Sequence, residues 1–259
     1  MYPKLRKILL VVFLLVLVIS YFLKDNYKTV KNIQPEVLKA PLQDVVDSNE
    51  PIQFSQDGFA YHLTPVAKYQ IQGLVVSQMD YRFFSIYNSD SVFPVDLCLT
   101  WGDNLANKSY QEKQLSFSQD ARFCFYKWRG ETAINPDLIS NNHLIASDSK
   151  ILSIINKIKA GDQVLISGYL VDVKADKAGQ VSDYDPSSFS LKSSLTRTDT
   201  GAGACEIIYV DDIKIVQVAH PIWSFLFDFS FYALAVLIFL GFVNFIIYSY
   251  VHKPGRKTD

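Results

Sequence analysis

Histidine and cysteine are scarce in this chain, four and three residues among 259. His62, His143, His220 and His252 are scattered, and no Cys/His spacing matches a zinc site, so no metal is called for. A basic excess is missing too. The formal net charge is −1 and no Lys/Arg cluster forms a stripe, which disfavours nucleic acid as a partner. The phosphate-cradling spacings G-x-G-x-x-G and G-x-x-x-x-G-K are absent, as are internal repeats and long low-complexity tracts. No enzyme motif stands out and no cofactor is implied.

What the chain does have is hydrophobic mass at its two ends. Ile8 to Leu23 is an apolar run broken only by Ser20 and preceded by Lys4, Arg6 and Lys7. A cleaved signal peptide would carry a shorter apolar core followed by an A-x-A pattern; here the run leads into Ser20-Tyr21-Phe22-Leu23-Lys24, so an uncleaved anchor is expected. A second span covers 222–251, with Trp223 at one boundary and Tyr248 and Tyr250 at the other, where amphipathic rings prefer the headgroup level. His252, Lys253, Arg256 and Lys257 follow it. Positive flanks at both outer ends place both termini in the cytoplasm and the intervening segment outside. Within the second span, Gly241 and Asn244 offer a close approach and a polar contact, either to the helix's own backbone or to another helix.

The expected layout is a cytoplasmic N-terminus (1–7), a transmembrane helix (8–23), an extracytoplasmic stalk (24–52), a β domain (53–217), a transmembrane helix (222–251) and a cytoplasmic C-terminus (252–259). Pro35, Pro41 and Pro51 punctuate the stalk, which reads as an irregular connector with a short helix around Gln43 to Val46. Residues 24–220 hold nineteen Lys and Arg against twenty-four Asp and Glu, a formal balance of −5. Cys98, Cys124 and Cys205 all lie there, where an oxidising compartment such as a periplasm permits disulfides. Cys98 and Cys124 sit in strand patterns that could pair across neighbouring strands, or each could be a small buried hydrophobe.

Strand signals dominate the domain. Lys68 to Ser77, Val95 to Trp101, the aromatic Arg122 to Trp128, Val164 to Val173 and Cys205 to Val216 alternate or run apolar, and Gly73 and Gly168 inside them mark bulges or bends. One helix stands out at Ser149 to Lys159, with Ile151, Ile154, Ile155 and Ile158 on one face, Ser147 or Asp148 as N-cap and Gly161 past its end. Three strands, a helix and two strands is the order of the OB-fold, so the expectation is a mainly β, OB-fold-like five-stranded barrel flanked by two transmembrane helices. The alternative is an open α+β sheet.

The stretch Ser193-Ser194-Leu195-Thr196-Arg197-Thr198-Asp199-Thr200-Gly201-Ala202-Gly203-Ala204-Cys205-Glu206 resembles a family known only as bacterial membrane-anchored proteins. The resemblance extends to Pro94-Val95-Asp96-Leu97 with Trp101-Gly102, to Ser118-Gln119 and to Gly161-Asp162, and covers most of residues 60–210. Leu144-Ile145-Ala146 follows His143 where the family has a second histidine-containing stretch, so no metal role carries over. The resemblance implies a bacterial envelope protein of the inner membrane and supplies no activity.

The same stretch holds the candidate site residues Arg197, Asp199, Gly201, Gly203 and Cys205. The two glycines could let backbone amides converge on an anion beside Arg197, or serve only a turn that needs their backbone angles. Cys205 could act as a nucleophile with His143 as base and Asp199 as orienter, or be the first inward residue of a strand. Phe123, Phe125, Tyr126 and Trp128 could stack a ligand, although core packing accounts for them as well. The first functional expectation is therefore an envelope protein anchored in the lipid bilayer, whose domain binds or scaffolds other envelope components. The alternative is an extracytoplasmic enzyme using the 193–206 loop with Cys205.

Overall fold

The structure, a computed structural model, describes residues 3–46, 50–56, 58–81, 92–120, 122–177, 188–201 and 203–251. The flanks read as cytoplasmic at His252, Lys253, Arg256 and Lys257, and Ala202 of the glycine-rich loop, lie outside these residues. The chain divides into two compact units, Asn26–Ala219 and the pair Met1–Asp25 with His220–Asp259.

The terminal unit is built on helices α1 (Pro3–Lys24) and α4 (Pro221–Val251). Both are long and apolar enough to cross a membrane, and few of their side chains are covered by the rest of the chain. They run antiparallel: Phe13 meets Phe229 edge to face at 5.8 Å, and Tyr21 lies 6.2 Å from Phe227. At the other end, a Cβ on Gly241 would stand 3.2 Å from the Arg6 guanidinium. Ser20 Oγ donates to Val16 O at 2.6 Å, so its hydroxyl is satisfied within its own helix. Asn244 is exposed on the surface of α4.

The other unit is mainly β. Its strands are β1 (Leu42–Val45), β2 (Ile52–Gln56), β3 (Phe59–Asp80), β4 (Val95–Thr100), β5 (Ser116–Asp120), β6 (Phe123–Lys127), β7 (Ile139–Ile145), β8 (Gln163–Lys177), β9 (Phe189–Leu191) and β10 (Glu206–Gln217). Short helices α2 (Asp103–Ala106) and α3 (Ser149–Ile155) interrupt them. Eight strands form one sheet, in the order β1-β3-β4-β7-β10-β8-β9 with β2 on β3, and β8 pairs with β3 as well. All pairings are antiparallel except β7 with β10. Strands β5 and β6 form a separate hairpin.

The two glycines singled out in the strand patterns are sites of close approach. A Cβ on Gly168 would stand 2.0 Å from Tyr209 O, opposite an irregularity between Val210 and Asp212 in β10. A Cβ on Gly73 would lie 2.8 Å from Thr100 O, beside a register shift between Val75 and Ser77. The alternating face of β3 places Tyr69, Ile71 and Val75 in the main core with Leu97, Leu99 and Leu144. Helix α3 closes that core. Asp148 caps it by accepting from the amides of Lys150 and Ile151, and Ile155 and Ile158 are fully buried. The helix ends at Ile155, with Ile158 in the turn that follows, and Gly161 takes φ 95° as the chain leaves for β8.

Three local readings need correction. Leu42–Val45 is a strand, not a helix, because it pairs with Ala67–Gln70 of β3. Arg122 to Trp128 is not a strand of the main sheet: its core, β6, belongs to the hairpin, and the third strand of the series is β7, whose sequence Ile-Ser-Asn-Asn-His-Leu-Ile hides a wholly buried strand behind polar residues. Phe123, Phe125 and Trp128 are exposed, not core residues. Cys98 and Cys124 are joined in a disulfide, with 5.7 Å between their Cα atoms, that fastens the hairpin to β4.

Candidate functional site

Register places the chemistry. Asp96 pairs directly with His143 and Cys98 with Asn141 across β4 and β7, so these four side chains share one face, while Leu97, Leu99 and Leu144 serve the core on the other. An acidic residue inside so apolar a strand needs a partner, because an uncompensated buried charge is costly. Asp96, fully buried, has three: His143 Nδ1 at 2.8 Å, Tyr81 Oη donating at 2.8 Å and the Arg122 guanidinium at 3.3 Å. The His143 contact is an ion pair, without the linear geometry of a good hydrogen bond.

The β5–β6 hairpin covers this polar strip. At its turn Arg122 adopts φ 71°, a conformation uncommon outside glycine. Its guanidinium lies 4.4 Å from the Tyr81 ring centre and 4.6 Å from that of Phe93, and its carbonyl accepts from Asn141 Nδ2 at 2.7 Å. The disulfide, the Asp96 pair and this carbonyl together hold a strained residue in place.

Cys205 is the free thiol, half-buried just ahead of β10. Asn141 Nδ2 donates to its Sγ at 3.2 Å, and His143 lies near enough for the sulfur to raise its pKa. The strands explain the meeting: β10 runs parallel to β7, with Glu206 opposite Asn142 and Ile207 opposite His143. Cys205 therefore lies against the polar face of β7, and it lines an open cleft of about 120 Å³ with Phe123, Asn141, Arg197, Asp199 and Glu206.

The electrostatics of the cleft are set by burial. Burial works against a charged His143, but the Asp96 carboxylate and the contact with Cys205 outweigh it and raise its pKa to about 9. Glu206 is nearly buried, and its Oε2 has no hydrogen-bond partner among the described residues. Desolvation pushes its pKa up to about 8; its own backbone amide, Arg197 and His143 oppose the rise and Asp199 adds to it. Burial, reinforced by Asp96, raises the Tyr81 phenol.

The polar contacts of the loop residues hold the loop itself. Asp199 does not orient His143, because it accepts from Ser194 Oγ at 2.6 Å; Asp96 takes the orienting position instead. Arg197 donates to Tyr69 Oη at 3.1 Å and lies over the Tyr69 and Trp101 rings, which pins the loop to the sheet. Gly201 and Gly203 take φ near 90°, a region that glycine adopts without strain, and Ala204 N donates back to Gly201 O. Sequence reasoning reached Cys205 and His143 but missed Asp96, Arg122, Asn141 and Glu206. A charge inside the apolar run Val-Asp-Leu-Cys-Leu was the available signal for Asp96. No group of three or more His, Cys, Asp or Glu suited to a metal occurs among the described residues. No known family, curated protein or solved structure matches the chain.

Proposed function

We propose that the domain carries out thiol-dependent acyl transfer, with Cys205 as nucleophile, His143 as proton carrier and Asp96 as the group that holds the imidazole. One observation carries this reading: a free thiol lines an open cleft beside a histidine whose Nδ1 is paired with a buried carboxylate. Nucleophile, base and orienter placed together are the constellation that activates a thiol, and an imidazolium beside sulfur is a partner that a thiolate nucleophile uses. Cys205 is also the chain's sole cysteine outside the disulfide. In detergent-solubilised full-length protein, iodoacetamide should label Cys205 alone, and His143→Gln should slow labelling by at least ~10-fold. Equal rates in the two proteins would sink the reading.

The site is read as extracytoplasmic, on a domain anchored by α1 and α4 in a bacterial inner membrane with both termini in the cytoplasm. Support comes from the positive flanks of the two spans, from their antiparallel packing and from a disulfide suited to an oxidising compartment. Five of the strands are read as an OB-like barrel. The circuit β3-β4-β7-β10-β8 returning to β3, the parallel β7–β10 pair and α3 between β7 and β8 support that reading.

A second reading, in which the domain binds or scaffolds other envelope proteins, is favoured by the exposed Phe123, Phe125 and Trp128 of the hairpin. Crosslinking through a photoreactive residue at position 125 in intact cells would test it; the absence of any adduct would remove its support.

A further inference from the structure

The cleft beside Cys205 contains a group that the thiol chemistry so far leaves idle. Glu206 is the next residue in the chain, lines the same cleft, is 5 % exposed and leaves Oε2 without a hydrogen-bond partner among the described residues. A buried polar atom with no partner is costly, and a ligand can satisfy it. We propose that Glu206, as a neutral carboxyl group, donates a hydrogen bond to the carbonyl oxygen of an ester or thioester attacked by Cys205. The inference rests on the thiol reading given above.

The surroundings favour a donor over a carboxylate awaiting a cation. Burial disfavours the charged form, and the carboxylate of Asp199 in the same cleft adds to the cost. Arg197 opposes this, but its guanidinium is bonded to Tyr69 Oη and reaches Gln43 Oε1 at 3.5 Å. His143, on β7, also opposes it without preventing the rise to about 8. Tyr69, on β3, is likewise held neutral, chiefly by burial and next by Glu206 itself. At neutral pH the carboxyl therefore keeps its proton and can act as a donor, as only a neutral acid can.

The step balances within the site. The Cys205 thiolate forms a C–S bond to the carbonyl carbon, and the C=O π pair moves onto oxygen, where the Glu206 O–H donates without giving up its proton. Collapse breaks the bond to the leaving alcohol or thiol, which takes a proton from the His143 imidazolium. Water then attacks the thioester, His143 accepts its proton, and the acid and the thiolate are released.

Two probes separate this donor from the thiol itself, using full-length protein in detergent. Acylation of Cys205 by 4-nitrophenyl acetate develops an oxyanion, whereas alkylation by iodoacetamide does not. Glu206→Ala should slow acylation by ~100-fold and leave alkylation unchanged, while Glu206→Gln, which keeps an N–H donor, should acylate within a few-fold of the parent. Acylation by the parent should decline as pH rises through about 8, and in Glu206→Gln that decline should move up to the one set by His143, near pH 9. An unchanged acylation rate in Glu206→Ala overturns the donor role, as does equal slowing of both probes. A decline at the same pH in parent and Glu206→Gln, or stronger binding of a small ammonium ion by the parent than by Glu206→Gln, also overturns it. Alkylation that does not respond to His143→Gln instead removes the thiol reading beneath it.

Discussion

Asp96 and His143 are direct register partners on neighbouring antiparallel strands, and their side chains meet as an ion pair at 2.8 Å. The pairing of two backbones thus fixes the pairing of two charges. Its pH signature follows from the direction of the shift. Folding raises the His143 pKa from 6.5 to about 9, so the folded state holds the proton more tightly than the unfolded chain. The stability it contributes is fully present below about pH 6.5 and is lost as pH rises through about 9. Glu206, raised from 4.5 to about 8, acts in the same sense at lower pH. Thermal melts between pH 6.5 and 9 should show a falling midpoint, with a shallower fall in His143→Asn; a midpoint that rises with pH contradicts the assignment.

The disulfide should be visible by counting thiols. Unfolded, unreduced protein should react with one equivalent of Ellman's reagent, and reduced protein with three. Closing a loop of 26 residues is worth ~3.5 kcal/mol in the chain-entropy account, so replacing both Cys98 and Cys124 by Ala should lower stability by about that amount.

Gly168→Ala should be among the most damaging small substitutions in the sheet. The new methyl carbon would stand 2.0 Å from Tyr209 O, a backbone atom that only a shift of the strand can move, and the cost should reach at least ~2 kcal/mol. Denaturant unfolding would measure it. A variant as stable as its parent would mean that β8 and β10 separate at little cost.

Ile155→Asp should unfold the domain, because α3 buries Ile155 completely and offers a carboxylate no partner there. Lys157→Ala, at an exposed position just past the helix end, should change the melting midpoint little. Equal melts for the two variants would show that α3 does not close the core.

A reporter enzyme active only in the cytoplasm should be active when fused after Lys257 and inactive when fused near Gly179. The reverse pattern would place the domain in the cytoplasm and remove the oxidising environment on which the disulfide argument relies.

The sequence revealed features that depend on periodicity and hid those that depend on pairing. The isoleucines of α3 and the alternating face of β3 recur at fixed spacing, so their buried faces could be read directly. Strand β7 could not, since Ser140, Asn141, Asn142 and His143 look like a loop until β4 and the hairpin supply their partners. Asp199 was the nearer acid to Cys205 along the chain, but the orienting acid arrived from β4, more than a hundred positions away. Glu206 showed no signal, because an orphaned oxygen is a property of the packed site alone.

Cys124 lines the same cleft as Cys205. Before the fold is complete, Cys124 therefore has two suitors, Cys98 at a separation of 26 residues and Cys205 at 81. Ring closure over the longer span costs about 1 kcal/mol more, so chance encounter alone favours Cys98 by roughly fivefold. Synthesis order widens the margin, since Cys98 and Cys124 are both made before Cys205. The position of Cys205 late in the chain thus protects it from capture, and moving it ahead of Cys98 by circular permutation would expose the protein to a misbridged form.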